Sequence, residues 1–400
     1  MKTIVPFLSL SSILVCLIAS AQAQQRAYGG GLAERFKQLD RNGDGKIDES
    51  EHAGVRARLR NRSQQPGAMT PSGRTDVSRA PGAKPQSKSE TRRTLTSSQS
   101  DAIRKLRSRL ANLPVPENLT RRTLDIGDKE REFFINVPEK AKGKPAPVVF
   151  ALHGGATSTG LAMHLKADFT KLGEAEGYVT VYPSGVNGWN IGSHDAYSVK
   201  RRTSDADDIG FFRAMFDALI KEGVVDPKQI YVTGGSNGGV MTQFLVCHLA
   251  DRIAGAGVMV ATLPAAVKDW PKPARPLPVI IMLGTVDPMK PWNGKADQLS
   301  ADATVEYWRK QNGCTGDVKR WDLADRDPND GTRIHAQRWE GKAPVVFYTM
   351  EGHGHGWPMQ KGRDETGAGP KTRDIFAPEE FWKFFQSAAQ SASAQPTEKP

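Results

Sequence analysis

In the stretch QIYVTGGSNGGVM, residues 229 to 241, Ser236 stands between two glycine pairs, directly after a short β-rich run. A serine hydroxyl is a weak nucleophile at neutral pH, so chemistry at Ser236 requires a base, and that base requires an orienting acid. The run before the serine reads as a strand and GVMTQFLVCHLADRI after it reads as a helix. The chain must therefore turn sharply at Ser236, where side chains at positions 234 and 238 would collide. A helix beginning there also points its first amides at any oxygen that gains negative charge.

The base and acid follow in the chain order serine, acid, histidine. Asp287, in IMLGTVDPMKP, comes just past a predicted strand, whereas Asp297 and Asp302 stand further from a strand end and read as surface acids. His355 and His353 share the loop EGHGHGWPM after the next strand, and spacing alone does not separate them. ALHGGATS supplies a glycine-rich turn after an earlier strand, in which the N–H of Gly155 pairs with that of Asn237 as a candidate oxyanion site. His153 in the same turn reads as a brace for the loop.

These residues need a rigid frame. PVVFALHGG, YVTVYP, QIYVTGG, LPVIIMLG and APVVFYTMEG are short, apolar and bounded by Gly or Pro, as buried parallel strands are. DDIGFFRAMFDALIKEG between the second and third carries Ile209, Phe212, Met215, Phe216 and Leu219 on one helical face. TVEYWRKQNG is a further helix, and LTRRTLDIGDKEREFFINVP reads as an antiparallel hairpin at the sheet edge. The expected fold class is α/β, a mostly parallel central sheet with helices on both faces.

PVVFALHGG, GWNIGS, DADDIGFFRAM, VTGGSNGGVM, LADRI, LGTVDPMKPWNG and GHGHGWP occur in that order between about residues 115 and 385. Together they resemble the secreted polyhydroxybutyrate-depolymerase-like esterases, which include feruloyl and acetylxylan esterases and have the α/β-hydrolase fold. The resemblance implies Ser236 as nucleophile, Asp287 as acid and His355 as base, because the family histidine precedes any residue and then Trp-Pro. It also implies Trp189, in Trp-Asn, as a substrate-binding residue near the active site, with a core aromatic as the equal alternative, and no cofactor for catalysis. Gly155 stands where many members have cysteine, and no polymer-binding module is visible. Polyester and acylated polysaccharide are therefore comparable substrates. The alternatives carried with the serine esterase are a serine peptidase on the same scaffold and a calcium-dependent binding protein with a non-catalytic hydrolase-like domain.

The rest of the chain has other work. Lys2, an apolar run through Ile18 and Ala21-Gln22-Ala23 read as a secretory signal over residues 1–23, which implies a secreted or periplasmic protein that does not span a membrane. DRNGDGKIDESE, within residues 30–60, resembles an EF-hand loop. Asp40, Asn42, Asp44, the Lys46 carbonyl, Asp48 and Glu51 stand at the ligand positions for Ca2+, and Gly45 stands at the turn.

The formal charge of +11 sits between Arg56 and Arg109, where 14 Lys/Arg oppose Asp76, Glu90 and Asp101, and 14 − 3 = 11. Most of that excess falls in a Ser/Pro/Gln/Gly-rich segment, residues 61–112, which reads as a disordered linker. A second reading makes it a tether to an anionic surface, and nucleic acid is not expected as a partner of an exported chain. The hydrolase domain is expected over residues 113–388, with a disordered tail over 389–400. Cys247 and Cys314 form either one disulfide or separate buried thiols once the signal carries Cys16 away.

Overall fold

The structure, a computed structural model, describes residues 114–155, 158–191, 205–358 and 368–394. The segments read as a signal, as a calcium loop from Asp40 to Glu51 and as a basic linker lie outside the described residues.

Strands β1 (Thr120–Ile126), β2 (Lys129–Asn136), β3 (Ala146–Leu152), β4 (Val179–Pro183), β5 (Val225–Gly235), β6 (Gly255–Met259), β7 (Val279–Gly284), β8 (Val318–Asp322), β9 (Arg333–Trp339) and β10 (Val345–Glu351) form one sheet. Their spatial order is β1-β2-β4-β3-β5-β6-β7-β10-β9-β8. The stretch from β4 to β10 is parallel throughout, and antiparallel strands flank it on both sides. This is the expected α/β-hydrolase fold, with the β1–β2 hairpin at one edge as its sequence indicates.

Helices α1 (Gly160–Ala167), α2 (Phe169–Glu176), α3 (Asp208–Lys221), α4 (Asn237–Leu249), α5 (Ala301–Gln311) and α6 (Ala377–Ala394) cover the two faces. Alternate residues of a strand point to opposite faces, and the core divides accordingly. Val148, Phe150 and Leu152 of β3, with Val279, Ile281 and Leu283 of β7, pack with α3, α4 and α5. Val149 and Ala151, with Ile280 and Met282, pack with α1, α2 and α6. Phe150 meets Phe216 edge-on at 4.9 Å between centroids, which joins α3 to the centre of the sheet.

One expectation changes, and of the two readings of the cysteines the buried thiols hold. The tail read as disordered from residue 389 is helical through Ala394, because α6 docks Phe381, Phe384 and Phe385 on the sheet. Its Ala/Ser/Gln-rich end then continues a helix that is already anchored. Cys247 and Cys314 are free, buried thiols. Cys247 lies on α4 beside the Tyr307 hydroxyl, while Cys314 directs its sulfur at the Ala343 carbonyl. No helix among the described residues is long and apolar enough to cross a membrane.

Candidate functional site

β5 delivers Ser236 to the rim of the sheet, where the backbone reverses into α4. Ser236 adopts φ 58° and ψ −120°, a conformation that non-glycine residues rarely hold. The surroundings enforce it. Its N–H donates to the Met259 carbonyl at 3.0 Å, and its carbonyl accepts from the Val240 N–H at 3.1 Å. The glycines permit the crowding, since a Cβ on Gly234 would lie 2.5 Å from the Gly238 oxygen, and one on Gly238 would lie 2.5 Å from the Leu152 and His153 oxygens.

The loops after β7 and β10 bring the other two groups to this turn. Ser236 Oγ lies 2.9 Å from His355 Nε2, and His355 Nδ1 lies 2.7 Å from Asp287 Oδ2. Asp287 is buried and His355 nearly so, with side chains 1% and 10% exposed. The other carboxylate oxygen, Oδ1, accepts the N–H groups of Met289 and Lys290, both at 2.8 Å. A carboxylate held this way accepts the hydrogen bond of the His355 Nδ1–H, leaving the Nε2 lone pair to accept the Ser236 hydroxyl. Val286 N–H donates to the His353 carbonyl, and Gly352 N–H to the Thr285 hydroxyl, so the two loops are tied to each other.

His353, which the sequence left in competition with His355, is fully buried away from the serine. Its Nε2 donates to the Gly356 carbonyl at 3.1 Å and its Nδ1 accepts the Thr372 N–H at 2.9 Å. Burial lowers its pKa to about 4, so it is a neutral structural imidazole. His153 behaves alike: Nε2 accepts the Gly185 N–H at 2.8 Å, Nδ1 donates to the Gly154 carbonyl at 3.0 Å, and burial brings its pKa to about 4.

Asn237 is the first residue of α4, so its N–H has no acceptor within the helix. Gly155 has φ +57°, which turns the chain away after β3 at little steric cost. Trp189, read either as a substrate contact or as a core aromatic, is only 1% exposed and belongs to the core. Its indole N–H donates to the His153 carbonyl at 2.8 Å, and its backbone N–H donates to Asn237 Oδ1 at 3.2 Å. In this position it clamps the two glycine turns together. Sequence reading missed the clamp, although a Trp-Asn pair between two strands and an asparagine beside the serine were both visible. It also missed Arg131, a lone cation at an inward position of β2. No cluster of three or more His, Cys, Asp or Glu suited to a metal occurs among the described residues.

A model of the prolyl oligopeptidase family matches residues 166–263, a stretch that contains Ser236 but neither Asp287 nor His355. Feruloyl esterase B of Piromyces equi is 30% identical over 209 residues, 46% of this chain and 36% of the relative. The putative esterase NocK of Nocardia uniformis subsp. tsuyamanensis is 27% identical over 262 residues, 60% of this chain and 74% of the relative. Acetylxylan esterase A of Emericella nidulans is 25% identical over 240 residues, 59% of this chain and 68% of the relative. The chain thus spans about a third of the first of these relatives and about 70% of the other two.

Proposed function

We propose that the chain is an exported serine carboxylic-ester hydrolase that works through an acyl-enzyme. The observation that carries this reading is the hydrogen-bonded series Ser236 Oγ to His355 Nε2 at 2.9 Å and His355 Nδ1 to Asp287 Oδ2 at 2.7 Å, ending on a strained serine. Ser236 Oγ attacks the ester carbonyl carbon while its proton passes to His355 Nε2. Asp287 holds the ring and balances the imidazolium. The carbonyl oxygen becomes an oxyanion facing the N–H groups of Gly155 and Asn237. Collapse breaks the bond to the alkoxy oxygen, which leaves as the alcohol with the proton from Nε2. Water then gives a proton to Nε2 and attacks the acyl carbon. A second collapse frees the acid and returns the proton to Ser236.

Feruloyl and acetylxylan esterases among the relatives support acyl esters of polysaccharide as the substrate class. Val286 and Met289, close to Asp287 on the same loop, are about half exposed and give the rim an apolar surface. That favours an aromatic or hydroxyalkanoyl group over acetate. Secretion rests on the signal read in residues 1–23, and Ca2+ binding rests on the loop from Asp40 to Glu51.

A serine peptidase is the second reading, favoured by the prolyl oligopeptidase match. Hydrolysis of feruloyl, acetyl and hydroxybutyryl esters, set beside peptide p-nitroanilides, separates the two. The proposal expects ester turnover that Ser236→Ala abolishes and anilide turnover at background. Anilide cleavage at a comparable rate would replace it with the peptidase.

A further inference from the structure

Behind the serine turn lies a buried ion pair that the chemistry above does not use. Arg131 on β2 and Asp208 at the start of α3 have side chains 1% and 0% exposed, with Nη2 2.6 Å from Oδ1. Taking both charges out of water is costly, and such pairs seldom improve stability over apolar residues of similar size. Here the cost is compounded, since Arg131 Nε and Nη1 have no acceptor among the described residues. The guanidinium lies 4.3 Å above the Phe211 ring. Burial raises the Asp208 pKa while Arg131 opposes the shift.

The pair faces the segment that holds Trp189. Asp208 Oδ2 accepts the Asn190 N–H at 2.6 Å, and Arg131 Nη2 reaches the Ser184 carbonyl at 3.3 Å. Residues 184 and 190 are therefore both fastened to one ion pair. Between them Gly185 N–H binds the His153 ring, and Trp189 binds the His153 carbonyl and Asn237 Oδ1. We propose that Arg131 and Asp208 are positioning residues that fix the 184–190 segment, and through Trp189 set the Gly155 and Asn237 amides that receive the oxyanion. This rests on the esterase reading. It explains why a costly charge pair is kept where apolar residues would pack: the pair supplies a directional anchor for one backbone N–H, which a methyl group does not.

The test uses the full-length chain and initial rates on p-nitrophenyl acetate, normalised to sites counted by end-point titration with a fluorophosphonate. Arg131→Met/Asp208→Ala removes both charges together, so no unpaired charge is left behind. Losing a whole oxyanion donor costs about 10²- to 10³-fold, so a displaced one is expected to lower kcat by roughly 10- to 100-fold, with KM within about threefold. The inhibition constant of a phenylboronic acid, whose tetrahedral adduct carries the same negative oxygen, should rise by a similar factor.

Arg131→Met/Asp208→Asn keeps a carbonyl for the Asn190 N–H and should recover most of the lost kcat. Adding Asn237→Ala, which cuts the link to Trp189, should cost little more once the pair is gone. Unchanged kcat per titrated site with only a lower melting temperature would overturn the proposal, as would fully additive losses. Should the charge-free pair not fold, Arg131→Lys offers the same readouts. A wild-type chain that neither turns over ester nor takes up fluorophosphonate would instead fail the esterase reading, and the inference with it.

Discussion

Asp287→Asn is the perturbation whose cost the geometry states most directly. Asp287 Oδ1 accepts two backbone N–H groups at 2.8 Å, from Met289 and Lys290. An asparagine in the same place must turn its carbonyl toward them, because the reverse orientation would leave two buried donors unsatisfied at about 1–3 kcal/mol each. Its NH2 then faces His355 Nδ1, which must be unprotonated to accept, so the ring proton moves to Nε2 and points at Ser236 Oγ. The imidazole can no longer take the serine proton. A tautomer error of this kind costs about 10⁴-fold in kcat, equivalent to about 5.5 kcal/mol in the barrier. Substrate contacts are untouched, so KM should stay within about threefold. Initial rates on p-nitrophenyl acetate for the wild type and variant, with matched circular dichroism, give the comparison. A loss of less than about tenfold in kcat would refute the assigned role of Asp287.

Two more outcomes follow from the same reading. His153 and His353 are buried and neutral with pKa values lowered to about 4, below the 6.5 of an exposed imidazole. As pH falls below 6.5 the unfolded chain takes up these protons first, so stability present above pH 6.5 drains away until about pH 4. The loss between pH 7 and 5 is about 2 kcal/mol per imidazole. Urea denaturation should therefore show a smaller pH dependence for His353→Gln than for the wild type, and identical pH dependence would reject the neutral assignment. For the acidic loop, calorimetric titration of the full-length chain with Ca2+ should give binding heat that Glu51→Gln greatly reduces, because Glu51 supplies two oxygens at the closing position. Equal heats would end that proposal.

The series from Ser236 to Asp287 was legible because each member sits where a parallel strand ends, and strand ends announce themselves as apolar runs followed by glycine or proline. Strands that carry none of these residues were harder. β6 reads GAGVM, with little β-branched content, and is a strand because its neighbours β5 and β7 pair with it on both sides. β8, VKRWD, is mostly exposed and lacks an apolar face, so its pairing with β9 carries it. Trp189 reads in sequence as either a substrate contact or a core aromatic, and its two N–H donors, with acceptors on His153 and Asn237, draw the ring inside. Arg131 opens REFFIN, and only the fold reveals that Asp208, 77 residues away, pairs with it. Long-range polar partners carry no local periodicity, and this is why the clamp is not legible in sequence while the serine turn is.

The most direct test of the account is covalent trapping of the intact chain with a fluorophosphonate, followed by peptide mass spectrometry. One adduct per chain, carried on Ser236, absent in Ser236→Ala and formed far more slowly in His355→Ala, is the predicted result. An unlabelled wild type, or labelling that persists when Ser236 is alanine, would contradict it.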